Sequence, residues 1–159
     1  MRILGVDPGL SRTGWGVLDA DGTGVQLIDR GVIATNSKDA FPRRLLKIYS
    51  GLQDIVIRFA PDVVAIEDVI FVENARIALK LGQARGVVLL LAAQQNLTVA
   101  SYAPKTIKES LTGNGSASKL QMQRMVKSLL GLSEIPSPHD VADAIAVALC
   151  HFHRYRENS

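Results

Sequence analysis

The chain has a single cysteine, Cys150, which excludes an internal disulfide and any zinc site built from several thiolates. That cysteine lies in the apolar run "DAIAVALCHF", the setting of a buried structural thiol rather than of a nucleophile. Long apolar runs are missing too. The longest, near residues 87–93, falls far short of the ~20 residues that span a bilayer, and no basic-then-apolar leader opens the sequence. A cytoplasmic protein with no membrane partner is therefore expected. Repeats, low-complexity tracts and linkers are also lacking, so residues 1–159 are expected to form one domain, with a flexible tail over about 154–159. At 47% apolar and 21% charged residues the composition is that of a soluble globular protein, long enough to bury a substantial core.

What the chain does have is clustered positive charge. The net charge is only +3 and the sequence pI about 9.2. The cations nevertheless group as Arg43, Arg44 and Lys47; Lys105 and Lys108; Lys119, Arg124 and Lys127; Arg154 and Arg156. Any one group reads as a solvated helix face. Several on one basic chain point to a polyanionic partner.

Hydrophobic patterning sets the order of elements. Residues 2–7 form a strand, and "TGWGVLD" and "VQLIDRGVIAT" extend it into a meander across the turn "ADGTG". From Pro42 the apolar residues Leu45, Ile48, Tyr49, Leu52, Ile55, Val56 and Phe59 recur at helical spacing, and Pro61 marks the end. "DVVAIE" (62–67) is a fourth strand. Asn74 can cap a long helix to about residue 95, along which Ala78, Gly82 and Gly86 make a stripe of small residues. That stripe suits close helix packing, inside the subunit or across to another. "LTVASY" (97–102) is a fifth strand, and helices follow near 104–111, 118–130 and 139–153. The order predicts an α/β domain, a five-stranded mixed sheet with helices on both faces.

Asp7 is the anomaly in this pattern. It closes a strand whose Ile3, Leu4 and Val6 read as buried on both sides, where an unpaired carboxylate costs several kcal/mol. Ordinary turn chemistry can account for "DPG" on its own. Yet Glu67 ends the fourth strand after an equally apolar run, and strands lying side by side would bring the two acids to one edge. Asp140 and Asp143 share a face at i and i+3 in "PHDVADAIAVAL". First-turn acids also favour a helix dipole, which is the simpler reading of Asp140. Asp143, in contrast, faces into a helix rich in Ala, Ile and Val. Four converging carboxylates repel unless cations join them, and all-oxygen donors select Mg²⁺ or Mn²⁺ over Zn²⁺. Two such ions about 3.5–4 Å apart form the clamp of phosphoryl-transfer enzymes.

At these residues a resemblance emerges. "GVDPG", "TGWGV", "AIEDV", "NARIALKLGQARGVV", "TGNGSASK" and "DVADAIAVAL" occur in order and nearly end to end, and together they resemble the RuvC family of crossover (Holliday) junction endodeoxyribonucleases. The resemblance implies an RNase H-like fold and a homodimer. It also implies symmetric nicking of four-way junction DNA that leaves 5′-phosphates and 3′-hydroxyls. It implies, too, two Mg²⁺ per active site with Mn²⁺ as substitute, and RuvA–RuvB as branch-migration partners. By position it assigns Asp7, Glu67, Asp140 and Asp143 as metal ligands. Some members carry His where Asp140 stands, and His139 is adjacent here as a neighbour of the site. Lys108 and Lys119 match lysines near the scissile phosphate, with a solvated helix face as the plain alternative. Ile70, Phe71, Asn74, Arg76, Lys80 and Lys105 complete the expected DNA contacts. Family members commonly carry an aromatic three residues after the glutamate; this chain has Ile70 there and Phe71 next, so which of the two meets unpaired bases is open.

Three rivals fit less well. A junction-binding module without chemistry has no need of four acids at these spacings. An actin-type or sugar-kinase-type nucleotide domain needs a second phosphate loop and a longer, duplicated chain. A related RNase H-like nuclease for branched or RNA-containing DNA differs only in substrate, which a cleavage panel separates.

Overall fold

Alternation along the strands divides the core into two layers. The computed structural model describes residues 1–68 and 73–157. Its five strands are β1 (Arg2–Asp7), β2 (Arg12–Ala20), β3 (Val25–Ala34), β4 (Val63–Glu67) and β5 (Thr98–Tyr102). They form one sheet in the order β3-β2-β1-β4-β5, antiparallel through β3, β2 and β1 and parallel through β1, β4 and β5. The expected mixed sheet is present, with β1 at its centre.

Helices α1 (Phe41–Phe59) and α2 (Ala75–Gln94) cover one face. There Leu4, Val6, Val64 and Ile66 pack on Ile48, Leu52, Val88 and Leu91. Helices α3 (Pro104–Thr112), α4 (Lys119–Leu129) and α5 (His139–Glu157) cover the other. Ile3, Leu18, Val63 and Ala65 meet Ile107, Val126, Ile145 and Leu149 on that side, and Cys150 is fully buried among them. Since strand side chains alternate, Asp7 shares the α5 face with Ile3, and Glu67 shares it with Val63 and Ala65. Period two therefore decides which layer receives the acids.

Local chemistry ends the helices where the sequence suggests. Asn74 Oδ1 accepts from the Arg76 and Ile77 N–H groups, capping α2. Ser118 and Gln121 form a reciprocal capping box on α4, and Gly113 closes α3 at φ 73°. Helix α5 differs from expectation: it continues past residue 153 to Glu157, so the tail expected to be free from about 154 is helical that far.

Two further differences concern burial. Arg44, grouped above with a solvated basic cluster, is buried; its Nε donates to Thr35 Oγ1 at 2.9 Å and its Nη2 to Ser11 Oγ at 3.3 Å. The guanidinium thus ties α1 to the loop that follows β1. The Ala78–Gly82–Gly86 stripe does not pack inside the subunit, since a β-carbon on Gly82 or Gly86 would meet nothing within 4 Å. Helix α2 is long and apolar enough to cross a membrane by length and composition alone, with mean hydropathy 1.3 over its best window. No single apolar run in the sequence is that long, because Arg76, Lys80 and Arg85 interrupt it.

Candidate active site

Asp7 and Glu67 reach the same edge because β1 and β4 are parallel neighbours, with Val6 opposite Ile66 one residue earlier. Helix α5 then brings Asp140 and Asp143 against that edge. Its approach depends on glycine. A β-carbon on Gly5 would lie 2.0 Å from the Ala144 carbonyl oxygen, one on Gly16 would lie 2.6 Å from Ile145, and Gly14 stands directly beneath Asp140. Gly14 is also the register partner of Asp7. The sequence carries a signal for this role in the two glycines at i and i+2 of "TGWG", which fall on one face of a strand.

The "DPG" turn does not need Asp7. Thr13, fully buried, donates from Oγ1 to the Gly9 carbonyl at 2.8 Å and accepts from the Gly9 N–H at 3.4 Å. Among the described residues the turn is closed by these two groups, with no N–H or O–H of the turn donating to the Asp7 carboxylate.

Electrostatics show how closely the acids meet. Burial pushes the Asp7 carboxyl up from 3.8 to about 7, and Asp143, Asp140 and Glu67 add to the rise while Lys119 opposes it. Glu67 is raised as well, first by burial and then by Asp143, against Lys108 and Lys119. Lys119 Nζ lies 3.0 Å from Asp143 Oδ2, and His139 Nε2 lies 3.5 Å from Asp140 Oδ1. Both lysines, with Glu67 and Asp143, line a cleft of about 320 Å³ whose floor includes Ile107, Met122 and Ala146.

These donors fit a hard divalent cation. All four are carboxylates, and Asp140 Oδ2 is buried with no hydrogen-bonding partner among the described residues. A buried, unsatisfied anionic oxygen beside three other acids is what a cation would relieve. Among the described residues no three His, Cys, Asp or Glu side chains are gathered closely enough to hold a metal ion as they stand; Asp143 and Asp140 lie instead against Lys119 and His139. The site is open on the side of the cleft.

The remaining expected contacts are spread more widely. Lys105 does not line the cleft; its Nζ turns to Glu109 at 3.7 Å. Arg76 and Lys80 are exposed on the first turns of α2, and Asn74 is engaged in its cap. Ile70 and Phe71 lie outside the described residues.

Comparison with known proteins agrees with this geometry. The family described as crossover junction endodeoxyribonuclease RuvC matches residues 3–151. The protein of that name from Caldicellulosiruptor saccharolyticus is 50% identical over 95% of this chain and 92% of its own length. That from Natranaerobius thermophilus is 44% identical over 98% and 97%. Among solved structures, T. thermophilus RuvC in complex with a Holliday junction substrate has a TM-score of 0.91 at 32% identity, covering 99% of this chain and 96% of that one. The yeast mitochondrial Holliday junction resolvase Ydc2, at 17% identity and a TM-score of 0.70, shares the fold.

Proposed function

Because the chain belongs to the RuvC family of crossover junction endodeoxyribonucleases, we propose that its four clustered carboxylates and two cleft lysines carry out the cutting of four-way DNA junctions. It is a nuclease with an RNase H-like fold that resolves Holliday junctions in recombination and repair, and the family's chemistry is metal-dependent. The observation that carries the site assignment is the meeting of β1, β4 and α5, which brings Glu67, Asp140 and Asp143 within electrostatic reach of Asp7, with Lys108 and Lys119 in the adjoining cleft.

In this reading Asp7, Glu67, Asp140 and Asp143 would hold two Mg²⁺ ions, with Mn²⁺ as substitute, and such a pair would supply activation of water and stabilisation of the leaving oxygen. Asp7 and Glu67 supply oxygen donors from the rigid sheet edge, and Asp140 and Asp143 supply them from α5. Lys119 and Lys108 present ammonium groups to the cleft, where charge grows on the phosphate as the bond breaks. Asn74, Arg76, Lys80 and Lys105 are surface contacts for the junction arms, and Ile70 or Phe71 meets unpaired bases at the crossover. Two matched nicks, leaving 5′-phosphates and 3′-hydroxyls, call for a homodimer with two equivalent sites. The exposed apolar stripe of α2 is the surface for it. RuvA–RuvB are the partners and the cytoplasm the location that the family resemblance supports.

A cleavage panel tests the assignment: four-way junction, three-way junction, duplex and RNA–DNA hybrid, each in Mg²⁺ and in Mn²⁺. The four-way junction should be cut in paired, ligatable nicks and the others spared. Equal cutting of duplex or hybrid would replace the substrate reading.

A further inference from the structure

Arg85 projects from the middle of α2 back to the end of β4. Its Nη1 donates to the Glu67 carbonyl oxygen at 2.6 Å, and its Nη2 donates to Asp68 Oδ1 at 2.8 Å and to Ser101 Oγ at 2.9 Å. The guanidinium is largely covered. The position matters because strand pairing ends there. The Asp68 N–H donates to the Tyr102 carbonyl, and Glu67 opposite Tyr102 is the last register pair of β4 with β5 among the described residues. There the Arg85 guanidinium, not a strand partner, is what holds the Glu67 carbonyl.

We propose that Arg85 is a positioning residue for the metal site, fixing the backbone at Glu67 so that its carboxylate is presented toward Asp7 and α5. The fork of the guanidinium joins β4, β5 and α2 from two nitrogens held in one plane, a fixed geometry that an ammonium, with its three donors on one nitrogen, does not reproduce. Its charge is answered by Asp68 rather than by the metal-site acids. The cations that oppose the rise at Glu67 are Lys108 and Lys119. Arg85 therefore acts through geometry, with three of its N–H donors engaged within the subunit. Groups that orient metal ligands have measurable effects on affinity even though they never touch the ion.

The inference rests on Glu67 holding a cation, so Glu67→Gln accompanies it in each measurement. Mn²⁺ binding to the junction-free protein is followed by calorimetry, junction binding by gel shift in EDTA, and folding by thermal unfolding. Arg85→Met keeps the packing of the stem and removes every donor. It should weaken Mn²⁺ binding about ten- to a hundred-fold and raise the Mn²⁺ midpoint for cleavage in proportion, with junction binding in EDTA unchanged. Arg85→Lys, which keeps the charge beside Asp68, should fall between Arg85→Met and wild type, and it decides the matter if Arg85→Met does not fold. Arg85→Lys with wild-type Mn²⁺ affinity would overturn the geometric role, as would a loss of junction binding equal to the loss of Mn²⁺. If Glu67→Gln weakens Mn²⁺ binding and the Arg85 variants do not, the positioning role alone fails. If Glu67→Gln retains full Mn²⁺ affinity, the ligand assignment fails first.

Discussion

A β-carbon on Gly14 would lie 2.1 Å from the carbonyl oxygen of Asp140. Strand β2 and the first turn of α5 are in direct backbone contact there, at the register partner of Asp7. The distance between the sheet-borne and helix-borne acids is therefore set by the absence of one methyl group. The Asp140 backbone has no flexible end that can swing aside, so any side chain at position 14 must displace α5 itself.

Gly14→Ala should consequently damage catalysis out of proportion to folding. Overpacking of this kind costs about 1–3 kcal/mol of stability, whereas a misplacement of about 1 Å in an active site can cost about a hundredfold in rate. Gly22→Ala is the control, because a β-carbon there meets nothing within 4 Å. Thermal unfolding and single-turnover cleavage of a four-way junction measure the two effects. A Gly14→Ala protein that cuts at the rate of Gly22→Ala would show that α5 is free to move without consequence.

Asp7 makes a prediction about pH in the metal-free protein. Its carboxyl is raised from 3.8 to about 7, chiefly by burial. Between those values the folded state holds a proton that the unfolded state has lost, so stability falls as pH rises through that window and levels off above it. Asp7→Asn removes this penalty. In EDTA the variant should match wild type near pH 4 and exceed it by up to a few kcal/mol at neutral pH, since one pKa unit is about 1.4 kcal/mol. Mn²⁺ should stabilise wild type more than the variant, and cleavage by the variant should drop by orders of magnitude. A difference between the two proteins that does not change from pH 4 to pH 8 would contradict a buried, ionisable Asp7.

Lys119 and Lys108 should affect rate more than affinity. Both line the cleft, and Lys119 already contacts Asp143 at 3.0 Å. An ammonium beside the scissile phosphate stabilises charge that develops only in the transition state, while ground-state contacts are shared among many residues. Lys119→Ala and Lys108→Ala should therefore lower single-turnover cleavage at saturating protein while junction affinity in Ca²⁺ holds. Parallel losses in the two measurements would make them ordinary phosphate contacts.

The acids were legible in the sequence because burial and charge conflict at Asp7, and because period two and strand order carry Glu67 to the same edge and face. Asp143 stood out for the same reason, an acid on an apolar helix. The structure supplies what one-dimensional patterns do not contain. Arg44 sits among basic neighbours, and only the tertiary contact with Ser11 and Thr35 separates it from a solvated lysine face. Arg85 lies 18 residues from Glu67 and is joined to it through a carbonyl group, to which side-chain identity gives no clue. The close approach at Gly5, Gly14 and Gly16 needs the α5 position, although the spacing of the glycines was visible. The solvent-facing side of α2 followed from knowing that Ala84, Val88, Leu91 and Ala92 face the sheet.

That outward side carries the last prediction. Leu79, Gly82, Gly86 and Leu90 fall along one stripe of α2 opposite its buried residues, with Leu79 and Leu90 67% and 56% exposed. Isolated exposed leucines are unremarkable, but a contiguous apolar stripe with glycines at its centre is a surface on which a second helix can lie closely. A two-fold partner would meet the same stripe with its own copy. Wild type should therefore have a solution mass of twice the 17.2 kDa chain, and Leu90→Glu should have the mass of one chain. The variant should still fold, because surface substitutions of this kind usually change stability by less than about 0.5 kcal/mol. On a supercoiled plasmid bearing a cruciform, wild type should give linear product through two matched nicks. Leu90→Glu should give nicked circles, since each subunit retains its own Asp7, Glu67, Asp140 and Asp143 but loses the partner that cuts the opposed strand. Light scattering and gel electrophoresis read these two outcomes independently. A Leu90→Glu protein that stays dimeric and linearises the plasmid would move the interface away from α2.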